Sequence, residues 1–207
     1  MSYSRISEML SPPARPQDTS TFDEPHIEEV HKLRHENQVL RQKVRDLERK
    51  ADTDPLLPLH NRRAFVREIE RAQAVLNRYE ISSSVIYFDL NDFKQINDRH
   101  GHAVGDDVLL AVSNVLLSGV RDCDMVARLG GDEFGVLLFK ADEKLAKAKA
   151  TVLAMRLSEC RVNTLKGTVS VSSAWGVAQC DNAQSPDQII SRADRAMYLA
   201  KTDVHKR

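Results

Sequence analysis

The chain has 207 residues, with 30 Lys+Arg against 30 Asp+Glu, 42% hydrophobic and 5% aromatic residues, and three cysteines. A formal net charge of zero excludes a nucleic-acid binder that works by bulk positive charge. No apolar run approaches the roughly 20 residues needed to cross a bilayer, since residues 108–120 are interrupted by Ser113, Asn114 and Ser118. The first residues, MSYSRISEMLSPP, lack the basic head and apolar stretch of a secretory signal. Cys123, Cys160 and Cys180 are odd in number and widely spaced, with no accompanying His pattern. That fits reduced thiols in a cytoplasmic protein better than a disulfide framework or a zinc site.

In chain order, residues 1–25 hold Pro12, Pro13, Pro16 and Pro25 among Ser, Thr, Asp and Glu. Such a stretch buries too little apolar surface to offset chain entropy, and a disordered tail is expected. Residues 26–51 contain no Gly, Pro or aromatic residue. With Val30 at heptad position a, Val30, Leu33, Asn37, Leu40, Val44, Leu47 and Ala51 fall at alternating a and d positions. Val at a with Leu at d favours a parallel two-stranded coil, and a lone Asn at a fixes its register. The expected g-to-e neighbours across such a dimer are Glu29 with Arg34, Glu36 with Arg41, and Lys43 with Glu48, all opposite in sign. A homodimer through residues 26–51 is therefore expected. A leucine-zipper transcription factor is excluded, because the preceding segment is acidic and carries no basic arm.

Residues 52–207 read as one mixed α+β domain. Phe65, Ile69, Ala72 and Leu76 are spaced as one face of a helix over residues 61–80. The run SVIYFDL (residues 84–90) predicts a buried strand, and residues 104–117 a helix. Residues 125–129 and 134–139 predict two strands around the Gly130-Gly131 turn. A helix over residues 142–158 and a strand over residues 168–178 follow. Ser185, Pro186 and Gln188 then form a capping box that opens a last helix running to about residue 201. This order predicts a ferredoxin-like sheet with an antiparallel core and flanking helices.

Two acidic points stand out. Asp89 ends the first buried strand, and Asp132 with Glu133 sits in the hairpin RLGGDEFGVLL. In the expected topology the strand lies beside the hairpin, which brings the three carboxylates together. Converging carboxylates repel one another unless a cation neutralises them, and hard oxygen ligands select Mg2+ or Mn2+. The plainer readings are an acidic tight turn facing water and, for Asp89, a cap on the helix that starts near Phe93.

The segments YFDLNDFKQINDRHGHAVGDDVL, RLGGDEF and ADRAMYLAK together resemble the GGDEF family of diguanylate cyclases, over roughly residues 52–201. The resemblance implies a fold like the palm of nucleotidyl cyclases and polymerases. It implies condensation of two GTP into cyclic di-GMP with release of two pyrophosphates, each subunit of a dimer holding one GTP. Asp89, the Leu90 carbonyl and Asp132 would hold the metals, about two ions per site as in two-metal phosphoryl transfer. Asp132 is the candidate base for the ribose 3′-hydroxyl, with Glu133 completing the acidic cluster. Asn97 and Asp106 would read the guanine edge, and His102 would line that pocket. The amides around Asp92 and Phe93 suit phosphate at a helix start, and Lys201 matches the lysine that contacts the terminal phosphates. Arg121 and Asp124 form an RxxD at the family's inhibitory product site; elsewhere the pair would read as a surface salt bridge.

The chain also departs from the family pattern. Leu57-Pro58 stand where Thr-Gly is usual, Ala174 where a small hydroxyl residue is common, and His205 where an Arg that helps hold the triphosphate is usual. The leading expectation is an active, product-inhibited cyclase. The alternatives are a catalytically weak domain that binds GTP or cyclic di-GMP, and a scaffold whose coil recruits partners.

Overall fold

The computed structural model describes residues 24–164 and 167–204. Most of the expected tail, up to residue 23, and residues 205–207 with His205 therefore lie outside the described residues. The chain divides into two units between Leu47 and Glu48.

The first unit is built on helix α1 (Glu24–Asp52), which starts two residues before the expected boundary and carries Pro25 in its first turn, where a missing N–H costs nothing. Of the a and d residues, Val30, Leu33, Leu40 and Val44 are exposed on it. The side chains of Leu47 and Glu48 lie outside the described set.

The second unit places one five-stranded sheet between two helical layers. Its elements are β1 (His60–Asn61), α2 (Arg62–Tyr79), β2 (Ser83–Leu90), α3 (Phe93–His100), α4 (His102–Ser118), β3 (Met125–Arg128), β4 (Glu133–Phe139), α5 (Glu143–Glu159), β5 (Arg161–Thr164), β6 (Gly167–Ser170), β7 (Ser173–Gln179) and α6 (Pro186–Val204). The strand order is β1-β3-β4-β2-β7. All neighbours are antiparallel except the short β1, which runs parallel to β3. The antiparallel core and flanking helices are as expected.

The helix boundaries follow local chemistry. Asn61 and Asp142 accept from the amides of Ala64 and Leu145 at the starts of α2 and α5. Ser185 and Gln188 form the reciprocal box ahead of α6. Gly101, at φ +91°, takes a backbone conformation that L side chains rarely adopt and so breaks the helical run into α3 and α4.

Alternation along β2 separates two cores. Ile86, Phe88 and Leu90 face α4 and α5, with Val108, Val112, Leu153 and Leu157. Val85 and Tyr87 face α2 and α6, with Phe65, Ile69, Ile189 and Ala193. Asp89 continues the second series and so emerges on the α2/α6 side at the end of the strand.

The expected strand over residues 168–178 is in fact two. After β6 the chain turns at Val171-Ser172, where the Ser172 carbonyl and hydroxyl accept from the Asn91 amide and side chain. β6 pairs instead with β5, which periodicity missed, in a separate two-stranded sheet. Gly176 on β7 lets α6 lie close: a Cβ there would collide with the Ala193 carbonyl and the Met197 amide.

Candidate active site

The acidic end of the sheet is assembled by register. Asp89 on β2 stands opposite Glu133 on β4. The adjacent Leu90 amide donates to the Asp132 carbonyl at 3.2 Å, which fastens the signature turn to the end of β2. Asp89 does not cap α3, whose N-cap position is Asp92. Its carboxylate instead accepts from Lys201 Nζ at 2.5 Å, with side chains 21% and 35% exposed. From α6, Asp194 lies close enough to feel the charges of the same cluster. Burial, then the charge of Asp89, raises the Asp132 carboxyl above the usual carboxylate range. Burial, then the charges of Glu133 and Asp89, does the same to Asp194. The local negative charge thus exceeds the cation that Lys201 supplies.

Those donors are all hard oxygens, as Mg2+ or Mn2+ requires. Among the described residues, no three His, Cys, Asp or Glu side chains are set to hold a metal ion alone. The donor set therefore fits a site completed by a backbone carbonyl and substrate phosphates rather than an all-protein cage.

Beside this cluster, Asn91 and Asp92 turn the chain into α3. Asp92 is left-handed at φ 57°, and a left-handed residue followed by a helical one is a conformation that aims successive amides into an anion-binding nest. Asn91, Asp92 and Lys201 line one end of an open cleft of about 810 Å3 that runs along β7 between α5 and α6. Phe93 and Asn97 on α3 are half-buried, and His102 and Asp106 on α4 are exposed. Gly105 brings the two helices together, because a Cβ there would strike the Asn97 amide oxygen and sit 3.3 Å from the Phe93 ring.

With that geometry in hand, the family model described as "Diguanylate cyclase, GGDEF domain" matches residues 51–207. The chain belongs to the GGDEF family. Among curated relatives, it is 37% identical over 166 residues to diguanylate cyclase TpbB of Pseudomonas aeruginosa, covering 75% of this chain and 36% of that protein. It is 38% identical over 162 residues to the probable diguanylate cyclase DgcT of Escherichia coli, covering 73% and 34%. The chain thus spans about a third of the length of these relatives. The solved coiled coil and GGDEF domain of DgcB from Caulobacter crescentus, in complex with c-di-GMP, superposes with a TM-score of 0.75 at 25% identity, covering 84% of this chain and 93% of that one.

Two features around the GGDEF turn escaped the sequence reading. Arg128 donates to the carbonyls of Gly130 and Gly131 at 2.8–3.1 Å and pairs with Asp54 at 3.3 Å. Asp54 also accepts from the Leu56 and Leu57 amides, so the segment with the Leu57-Pro58 departure is tied directly to the signature turn. Asp52 is gripped by Arg63 and Arg67 of α2, and the Arg67 hydrogen bond is the main reason its carboxyl lies below the usual range.

The RxxD pair is not an ion pair in the structure. Asp124 accepts from the Arg121 and Phe139 amides at 3.1 and 3.0 Å and closes the turn before β3. The Arg121 side chain is exposed. Among the described residues, no helix is long and apolar enough to cross a membrane.

Proposed function

We propose that the chain is a diguanylate cyclase that joins two GTP into cyclic di-GMP and releases two pyrophosphates. The observation that carries this reading is the register of the GGDEF hairpin, which sets Glu133 opposite Asp89 and ties Asp132 to Leu90. An acidic cluster beside an anion-binding turn suits a nucleoside triphosphate and a divalent cation. The names of the relatives, diguanylate cyclases, support the same chemistry.

Asp89, the Leu90 carbonyl and Asp132 would hold Mg2+ or Mn2+, two ions per site, whose chemistry would be to neutralise the triphosphate and stabilise the attacking and leaving oxygens. The ribose 3′-hydroxyl of one GTP attacks the α-phosphorus of the other, Asp132 takes its proton, and pyrophosphate departs. The second, symmetric attack closes the ring. Asn97 and Asp106 bind the guanine edge, with His102 and Phe93 lining the pocket. The amides at Asp92 and Phe93, with Lys201, bind the terminal phosphates, and Lys201 exchanges its Asp89 contact for phosphate as substrate arrives.

Because each domain holds one GTP, two copies must face each other. The exposed Val30, Leu33, Leu40 and Val44 stripe supports a parallel coiled-coil homodimer through residues 26–51. Arg121 offers an exposed bidentate fork to guanine or phosphate of the product. Asp124 keeps lone pairs beyond its two amide bonds for the guanine N–H groups. Bound there, cyclic di-GMP holds the domains apart and inhibits.

Chromatography after incubation with GTP and Mg2+ tests the reading. The parent chain is expected to yield cyclic di-GMP, and Asp89→Asn none. A parent chain that binds cyclic di-GMP but never makes it would instead be a binding module.

A further inference from the structure

A second layer lies beneath the acidic end of the sheet. Tyr87 precedes Asp89 by two residues on β2, so both side chains leave the same face. Its partners across the sheet are Gly135 on β4 and Gly176 on β7, neither of which carries a side chain. Glu133 is the diagonal neighbour, one step beyond Gly135, within reach of a long aromatic side chain. The Tyr87 residue is only 4% exposed, and burial, then the Glu133 carboxylate beside it, holds its hydroxyl well above the usual range. On its other side that carboxylate lies against Gly130, where a Cβ would collide with Oε2. The charge of Asp194 on α6 is felt at Tyr87, as is that of Arg62, and the charge of Glu133 is felt at Asp194. A Glu with one edge on a bare glycine and the other on a buried donor has few orientations open to it.

We propose that Tyr87 is a positioning residue of the active site, its hydroxyl holding the Glu133 carboxylate against Asp89 so that the acidic cluster is preformed for a divalent cation. The proposal rests on the cyclase reading. Tyr87 touches neither substrate nor metal, and acts through Glu133. Removing a hydrogen-bond partner of this kind costs about 10–100-fold in metal affinity or activity.

The test uses the full chain without nucleotide, titrated with Mn2+ and followed by the electron paramagnetic resonance of the free ion. Tyr87→Phe, which removes only the hydroxyl, should bind Mn2+ about tenfold more weakly, with circular dichroism matching the parent. Tyr87→Leu, a second filler without a donor, should show the same loss. The Mg2+ needed for half-maximal turnover of GTP should rise in parallel, and turnover should recover as Mg2+ is raised. In a Glu133→Gln background, Tyr87→Phe should add little. Parent-like Mn2+ affinity in Tyr87→Phe, with binding lost in Asp89→Asn, would overturn the proposal and leave the cyclase reading standing. An undiminished effect of Tyr87→Phe in Glu133→Gln would overturn it too. A parent chain that binds no Mn2+ without nucleotide would overturn the preformed cluster, and leave standing the cyclase reading in which substrate phosphates complete the site.

Discussion

Asp132 is placed where its charge is costly to the folded protein. Burial and Asp89 raise its carboxyl, as burial and Glu133 raise that of Asp194. A raised folded value means that the stability these groups contribute is present below the usual carboxylate range and lost as pH rises through the shifted value. At pH 7 without metal, Asp132→Asn should therefore melt higher than the parent while losing turnover. In a domain of this size ~1 kcal/mol corresponds to about 2–4 °C. The gap should close as pH falls toward 4, and Mg2+ should raise the parent's melting temperature more than the variant's. Calorimetric melts across pH check this, and an Asp132→Asn that melts lower at pH 7 would contradict it. The RxxD residues need different treatment. Asp124 closes a turn through two backbone amides, so its loss confounds folding with binding. Arg121→Ala is the clean variant: it should lose calorimetric binding of cyclic di-GMP and keep reaction progress linear further into product accumulation. Asp132 and Glu133 were legible in the sequence because they sit in one hairpin turn, and Asp89 because it ends a short apolar strand. Tyr87, Arg128 and Asp54 were not, because a Tyr in an apolar run reads as core and an Arg–Asp pair 74 residues apart exists only after folding.

At the scale of elements, the long periodic helices and the central strands were legible from their apolar patterns, and α2, α5 and α6 also from caps supplied by their own neighbours in sequence. Asn61, Asp142 and Ser185 mark helix starts without tertiary help. The two-residue β1 carries too little pattern to be read, and β5, RVNT, buries none of its residues fully. Their pairing is decided by the larger elements around them. In the proposed cyclase, the α3–α4 corner carries the guanine-reading residues. Gly101 supplies the break, and Gly105 the space for Asn97. Gly105→Ala should displace the Asn97 amide and raise the KM for GTP about tenfold or more, since a lost hydrogen bond to a base edge costs ~1–3 kcal/mol. Steady-state kinetics beside a melting curve separates that outcome from unfolding; an unaltered KM would remove Asn97 from the guanine pocket.

For the whole molecule, the proposed cyclase needs two copies, because each domain would hold half a reaction. The heptad is a repeat of the sequence alone, and α1 leaves Val30, Leu33, Leu40 and Val44 exposed. Leu40→Pro should break α1 at a cost of ~3 kcal/mol or more. Specific activity at low protein concentration should then fall steeply and recover as concentration is raised; full activity from a monomer, matched by sedimentation, would contradict the paired-domain mechanism. The central claim is that one chain type converts GTP to cyclic di-GMP through the GGDEF hairpin. Its most direct test is a quantitative chromatogram of the parent and Asp132→Asn after incubation with GTP and Mg2+. The account predicts cyclic di-GMP and pyrophosphate in a one-to-two ratio from the parent and neither from the variant; product formed by Asp132→Asn at the parent rate, or GTP consumed by the parent without cyclic di-GMP, would contradict it.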